Sequence, residues 1–234
     1  DTAWMKYVEA CTIESKATTE PADIKIEVAR GGEYKIRLED GTTVWLNSES
    51  SLIYPEKFTG DKRAVRLSGE GYFEVARDEK KPFIVSVTDM EIKVLGTKFN
   101  VTAYQDEKMT TTTLISGAVE VVNPHRSVQL QPGKQAMVQE GGDDITVLEV
   151  DVELATSWTA GIFKFDKMAL TDICTRLSRW YDIDFVFEGE TGKEKFTGGT
   201  WKYVPLKDFL SKIERVTNVL FLFENNTVKV VPKK

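Results

Sequence analysis

Tyr34-Lys35-Ile36-Arg37-Leu38-Glu39-Asp40-Gly41-Thr42-Thr43-Val44-Trp45-Leu46 decides how the first part of the chain is read. Apolar side chains occupy every second position on the way into Asp40-Gly41, the spacing of a strand with one wet face. Asp and Gly both tolerate positive φ, so the pair marks a tight hairpin turn. The same pattern recurs outward from this block. Ile24-Lys25-Ile26-Glu27-Val28 alternates upstream, and turn signals return at Gly31-Gly32, Gly60-Asp61, Gly69, Lys81-Pro82, Gly96, Gly117, Pro132-Gly133 and Gly141-Gly142. About a dozen short strands with no helical period between them predict an all-β domain over 24–150: a twisted stacked-hairpin solenoid, a sandwich or a barrel. Residues 1–23, rich in Thr, Glu, Ala and Lys, read as a leader or linker.

The period then changes. Leu170, Ile173, Cys174, Leu177, Trp180 and Tyr181 follow the stripe of an amphipathic helix, and a second helix is predicted after Pro205 with Leu206, Phe209, Leu210, Ile213 and Val216 on its apolar face. Strands are expected at 183–187, 196–201, 219–223 and 227–231, and the unbroken apolar run 219–223 predicts burial on both faces. A constant offset of 36 pairs Leu170 with Leu206, Asp172 with Asp208, Arg179 with Arg215, Phe185 with Phe221, Phe187 with Phe223 and Glu188 with Glu224. Residues 151–234 therefore read as a small module of two strand-helix-strand copies, and the chain as mainly β with an α+β second part.

Composition narrows the chemistry. With 234 residues, 41% hydrophobic and 29% charged, the chain has material for a core and no bias toward disorder. No run approaches the length of a membrane-spanning helix, and the first residues lack the basic-then-apolar pattern of a signal peptide. His125 is the only histidine and sits in the turn Asn123-Pro124-His125-Arg126, which speaks against multi-histidine metal sites and a Ser-His-Asp triad. Cys11 and Cys174 lie far apart and are expected as free thiols. No catalytic, metal or cofactor residue is assigned. Glu70 and Glu74 tempt a hydrolase reading, but two residues four apart on one strand lie about 13 Å from each other, beyond the reach of a glycosidase pair. Residues 1–157 carry 18 basic and 27 acidic groups and residues 158–234 carry 13 and 10, so no basic surface for nucleic acid is expected. A coplanar exposed set among Trp45, Tyr54, Tyr72 and Tyr104 would suit a sugar ring, which makes a carbohydrate-binding module the alternative reading.

The ordered motifs carry a family resemblance. Asp40-Gly41, Trp45-Leu46-Asn47, Gly69-Glu70-Gly71-Tyr72-Phe73-Glu74-Val75 and Gly96-Thr97-Lys98-Phe99-Asn100-Val101, with Tyr54-Pro55, Pro82-Phe83 and Pro132-Gly133, together resemble the periplasmic region of FecR-family anti-sigma factors over 25–140. Gly71 stands where the family usually has Ala. Trp158, Gly161, Phe163, Phe165 and Arg179-Trp180-Tyr181-Asp182 resemble the C-terminal module of Bacteroidota members, itself similar to the small signalling domain of secretins and TonB-dependent transporters. The resemblance implies a signal receiver in the periplasm, tethered to the inner membrane in the full-length protein. Its partner would be the signalling domain of an outer-membrane transporter. A sigma factor would be reached through a cytoplasmic segment and transmembrane helix that these residues do not include. The signature residues are expected to be mostly structural. The docking surface is expected on the second module: Trp201 and Tyr203 as contact residues, and Val228, Lys229 and Val230 on a last strand placed at a sheet edge, with Lys229 guarding it.

Overall fold

Two strands precede the Asp40-Gly41 hairpin and pair antiparallel, β1 (Cys11–Ser15) and β2 (Asp23–Val28). The computed structural model describes residues 23–88 and 90–233 and the backbone of 11–15. Part of the expected leader is thus a strand of the sheet. The hairpin follows as β3 (Tyr34–Arg37) and β4 (Thr43–Leu46), closed by Gly41 at φ 86°. After β5 (Ser50–Pro55) comes the longest strand, β6 (Arg63–Glu74). The remainder are β7 (Phe83–Val87), β8 (Met90–Val94), β9 (Lys98–Ala103), β10 (Met109–Ser116), β11 (Val119–Val122), β12 (Ser127–Leu130), β13 (Lys134–Gln139) and β14 (Ile145–Glu149). A short helix, α1 (Val152–Thr156), packs on β10 and ends this unit, so the division falls between Thr156 and Ser157 rather than at 150.

Strand β6 organises the whole unit. Its first half pairs with β5 and β7, and its second half with β4 and β9. One layer runs β1-β2-β5-β6-β7-β8-β11-β12 and the other β3-β4-β6-β9-β10-β13-β14. Successive hairpins enter the two layers alternately, which unites the stacked-hairpin and sandwich readings. Every second side chain points inward: Ile26, Leu52, Phe83 and Ile92 from one layer meet Val44, Leu46, Phe73, Phe99 and Leu114 from the other, all without solvent exposure. Each such side chain contributes about 1.5–3 kcal/mol by leaving water. Gly69, at φ 92°, lies where β6 passes from one layer to the other, and a Cβ there would sit 2.4 Å from the Ser50 hydroxyl. Gly71 makes room for the Phe73 ring, which stacks on Phe99 at 5.0 Å between centroids.

The second unit opens with a 3-10 turn at Ser157–Ala160 and continues as β15 (Ile162–Ala169), α2 (Leu170–Tyr181), β16 (Asp184–Phe187), β17 (Lys195–Trp201), α3 (Leu206–Val216), β18 (Val219–Glu224) and β19 (Thr227–Pro232). Asp172 in the first turn of α2 and Arg179 in its last complement the helix dipole, as Asp208 and Arg215 do in α3. Asp182 ends α2 in the left-handed conformation, with its N–H donating to the Ser178 carbonyl. Leu170, Ile173, Leu177, Phe209, Leu210 and Ile213 are buried from the helices. The duplication appears as β15-α2-β16 and β17-α3-β18, with each copy spread over two sheets rather than one. β15 and β17 pair with each other, while β16 and β18 flank β19.

Two expectations fail here. β19 is the central strand, parallel to β16 and antiparallel to β18, so the last strand is not an edge. Val228 and Val230 are wholly buried and therefore offer no side chain to a partner. The run 219–223 is instead an edge strand, with Val219 and Phe221 buried and Leu220, Leu222 and Phe223 exposed. Periodicity reports a strand's faces, and neighbours in the sheet are set by pairings remote in sequence.

Candidate docking surface

In the all-β unit the signature residues converge on two networks that hold the fold. Arg63, 2% exposed, donates to the Asp40 carboxylate at 2.7 Å and to the carbonyls of Ala76 at 2.8 Å and Lys81 at 2.9 Å. Asp40 also accepts from the Thr42 N–H at 3.0 Å and hydroxyl at 2.7 Å, so one carboxylate serves both the turn and the buried guanidinium. The second network lies on the face of β6 turned from the core. There the Glu70 carboxylate accepts from Asn47 at 2.8 Å, Asn100 at 3.0 Å and Thr102 at 3.2 Å. Glu74 is engaged by Lys98 at 2.8 Å. The two acids are thus tied to separate partners. Thr97 donates to the Ala118 carbonyl at 2.8 Å, and Val75 donates its N–H to the Thr97 carbonyl at 3.0 Å, joining the Gly96 turn to β6. Arg63 escaped the sequence reading, because a charged residue at a strand start gives no sign of burial.

The aromatic rings do not form a sugar platform. Tyr54 and Tyr104 are buried, and the half-buried Trp45 and Tyr72 meet edge to face at 74° with Lys35 over the indole at 4.1 Å. Burial and the Glu74 carboxylate raise the Tyr72 pKa above its ordinary value. His125 Nε2 lies 3.1 Å from an oxygen of the Asp143 carboxylate, in an exposed turn. Among the described residues, no cluster of side chains suits a metal ion.

The second unit differs. Trp201 is 60% exposed and Tyr203 is 56% exposed, whereas Lys202 between them is 0% exposed. The Lys202 ammonium lies 3.7 Å from the centroid of Trp180, with Trp158 at 5.8 Å and Phe163 at 5.9 Å. Tyr203 meets Trp180 edge to face at 5.8 Å and passes close over Gly161, where a Cβ would lie 3.1 Å from its ring. A second apolar area lies on the wet face of the three-stranded sheet: Val186, Leu220 and Leu222 are exposed around Lys229, which pairs with Glu224 at 2.8 Å. That hydrogen bond and charge raise the Lys229 pKa. Lys229 guards no edge, since its strand is central.

The FecR protein family model matches residues 24–120, and the model of the FecR C-terminal region matches residues 162–230. Two crystal structures of a candidate anti-sigma factor from Parabacteroides distasonis ATCC 8503 are similar to this chain. The structure at 1.65 Å resolution has a TM-score of 0.83 and 30% identity, covering 90% of this chain and 99% of that one. The structure at 2.50 Å resolution has the same score and identity, covering 91% and 100%. No curated protein matches. The chain belongs to the FecR family of anti-sigma factors, a regulatory family of signal transduction. Among the described residues, no helix is long and apolar enough to cross a membrane.

Proposed function

We propose that this chain is the periplasmic signal receiver of an anti-sigma factor held in the inner membrane. Its C-terminal unit binds the signalling domain of a TonB-dependent outer-membrane transporter, and the signal passes to a sigma factor through a cytoplasmic segment. The observation that carries this reading is the pair of exposed rings, Trp201 and Tyr203, on either side of a buried lysine. Trp and Tyr dominate interface hot spots because they bury much area with few rotatable bonds. Exposed aromatic area of this kind is where a partner gains most by covering it.

The test is calorimetric titration of the full chain with the signalling domain of each transporter encoded beside it. Saturable binding is expected, weakened at least about 30-fold, or 2 kcal/mol, by joint Trp201→Ala and Tyr203→Ala substitution. The melting temperature should stay within about 2 °C, since the substitutions are at exposed positions. Absence of binding to every neighbouring transporter domain rejects the proposal.

A further inference from the structure

Residues 201–204 alternate in an unusual sense: indole out, ammonium in, phenol out. Sliding this segment by one residue would hide both rings and return the lysine to water, so the observed register needs something to hold it. Three side-chain contacts from two adjacent residues of α2 do so. Trp180 Nε1 donates to the Lys202 carbonyl at 2.7 Å. The single proton of the Tyr181 hydroxyl is directed between the Val204 carbonyl at 2.5 Å and the Lys202 carbonyl at 3.1 Å. From the other side the Lys202 N–H donates to the Gly161 carbonyl at 2.9 Å. The backbone of Lys202 is thereby fixed at both its polar groups, and its side chain rests on the indole that holds its carbonyl.

We infer that Trp180 and Tyr181 are positioning residues, which preorganise 201–204 so that Trp201 and Tyr203 meet the partner already ordered. This inference rests on the docking role proposed above. Ordering a loop at the moment of binding subtracts from affinity, and a clamp on the free protein removes that loss. The phenol hydroxyl of Tyr181 donates to main-chain carbonyls of the turn, so its removal loosens the clamp while the ring itself is kept.

Tyr181→Phe is the variant of choice. Affinity for the transporter signalling domain should fall about tenfold, the worth of one hydrogen bond, with the deficit in the entropy of binding. In a Trp201→Ala, Tyr203→Ala background the same change should have no further effect, because a clamp matters only through the rings it positions. An equal loss in both backgrounds overturns the inference in favour of a general structural role. A separate arm needs no partner: amide exchange at Lys202 and Val204 should accelerate about tenfold in Tyr181→Phe, with amides of β19 unchanged. Unchanged exchange at those amides overturns the clamp even if binding is seen. If the wild-type chain binds no transporter domain while exchange accelerates, the docking role fails and the clamp stands.

Discussion

The two units treat their polar and aromatic groups in opposite ways. In the all-β unit the acidic side chains of the signature motifs turn toward other parts of the same unit, Asp40 to Arg63 and Glu70 to Asn47 and Asn100. In the C-terminal unit a lysine lies inside while a tryptophan and a tyrosine stand in water. The first pattern consolidates an architecture. The second leaves aromatic area open to solvent.

The largest effect expected from breaking this contrast is in the first unit. Asp40→Ala leaves the buried Arg63 guanidinium without its carboxylate and should destabilise that unit by about 3–5 kcal/mol in denaturant unfolding. Binding through the second unit should survive wherever the chain remains folded. A loss of under 1 kcal/mol would mean that Asp40 is only a turn residue.

A smaller effect belongs to Cys174, a buried thiol on the apolar stripe of α2 that forms no disulfide. Burial pushes its pKa well above the ordinary thiol value. The unfolded chain releases the proton near pH 8.5, whereas the folded unit keeps it, so the unfolded state holds fewer protons above that pH. Stability from this group is therefore complete below about pH 8.5 and declines by about 1.4 kcal/mol per pH unit above it. Thermal unfolding between pH 8.5 and 10 should show this slope, and Cys174→Ala should remove it. An equal slope in the variant would assign the decline to other groups. The side chain of Cys11, the second expected free thiol, lies outside the described residues.

The smallest effect sharpens the distinction between the two faces of β18. Leu222→Lys on its exposed face should change stability by no more than about 0.5 kcal/mol, while Phe221→Lys on the buried face should prevent folding of the unit. Comparable losses from both would show that Leu222 is covered.

Much of this was legible locally. Asp40-Gly41 announced its hairpin through backbone freedom, the spacing of Leu170, Ile173 and Leu177 announced a helix, and the offset between Leu170 and Leu206 announced the duplication. These signals arise within a few residues or within one repeat. Sheet order is another matter. The alternation in Arg63–Glu74 gives no hint that the strand serves two layers, since that depends on partners as distant as β4 and β9. The apolar run 219–223 looked buried on both faces and has one face in water, while the more polar Thr227–Pro232, expected at an edge, is central because β16 and β18 both choose it. At the docking surface, Trp201 and Tyr203 were visible from residue type alone. The burial of Lys202 was not, because it is created by rings from three separate places, Trp158, Phe163 and Trp180.

Strand β6 has a mechanical consequence. Because Arg63–Glu74 is hydrogen-bonded within both layers, neither layer can peel away without tearing a strand that belongs to the other. Force that would part the two layers is therefore borne by β6 itself. A pull between the layers meets a stitched seam rather than a sliding one.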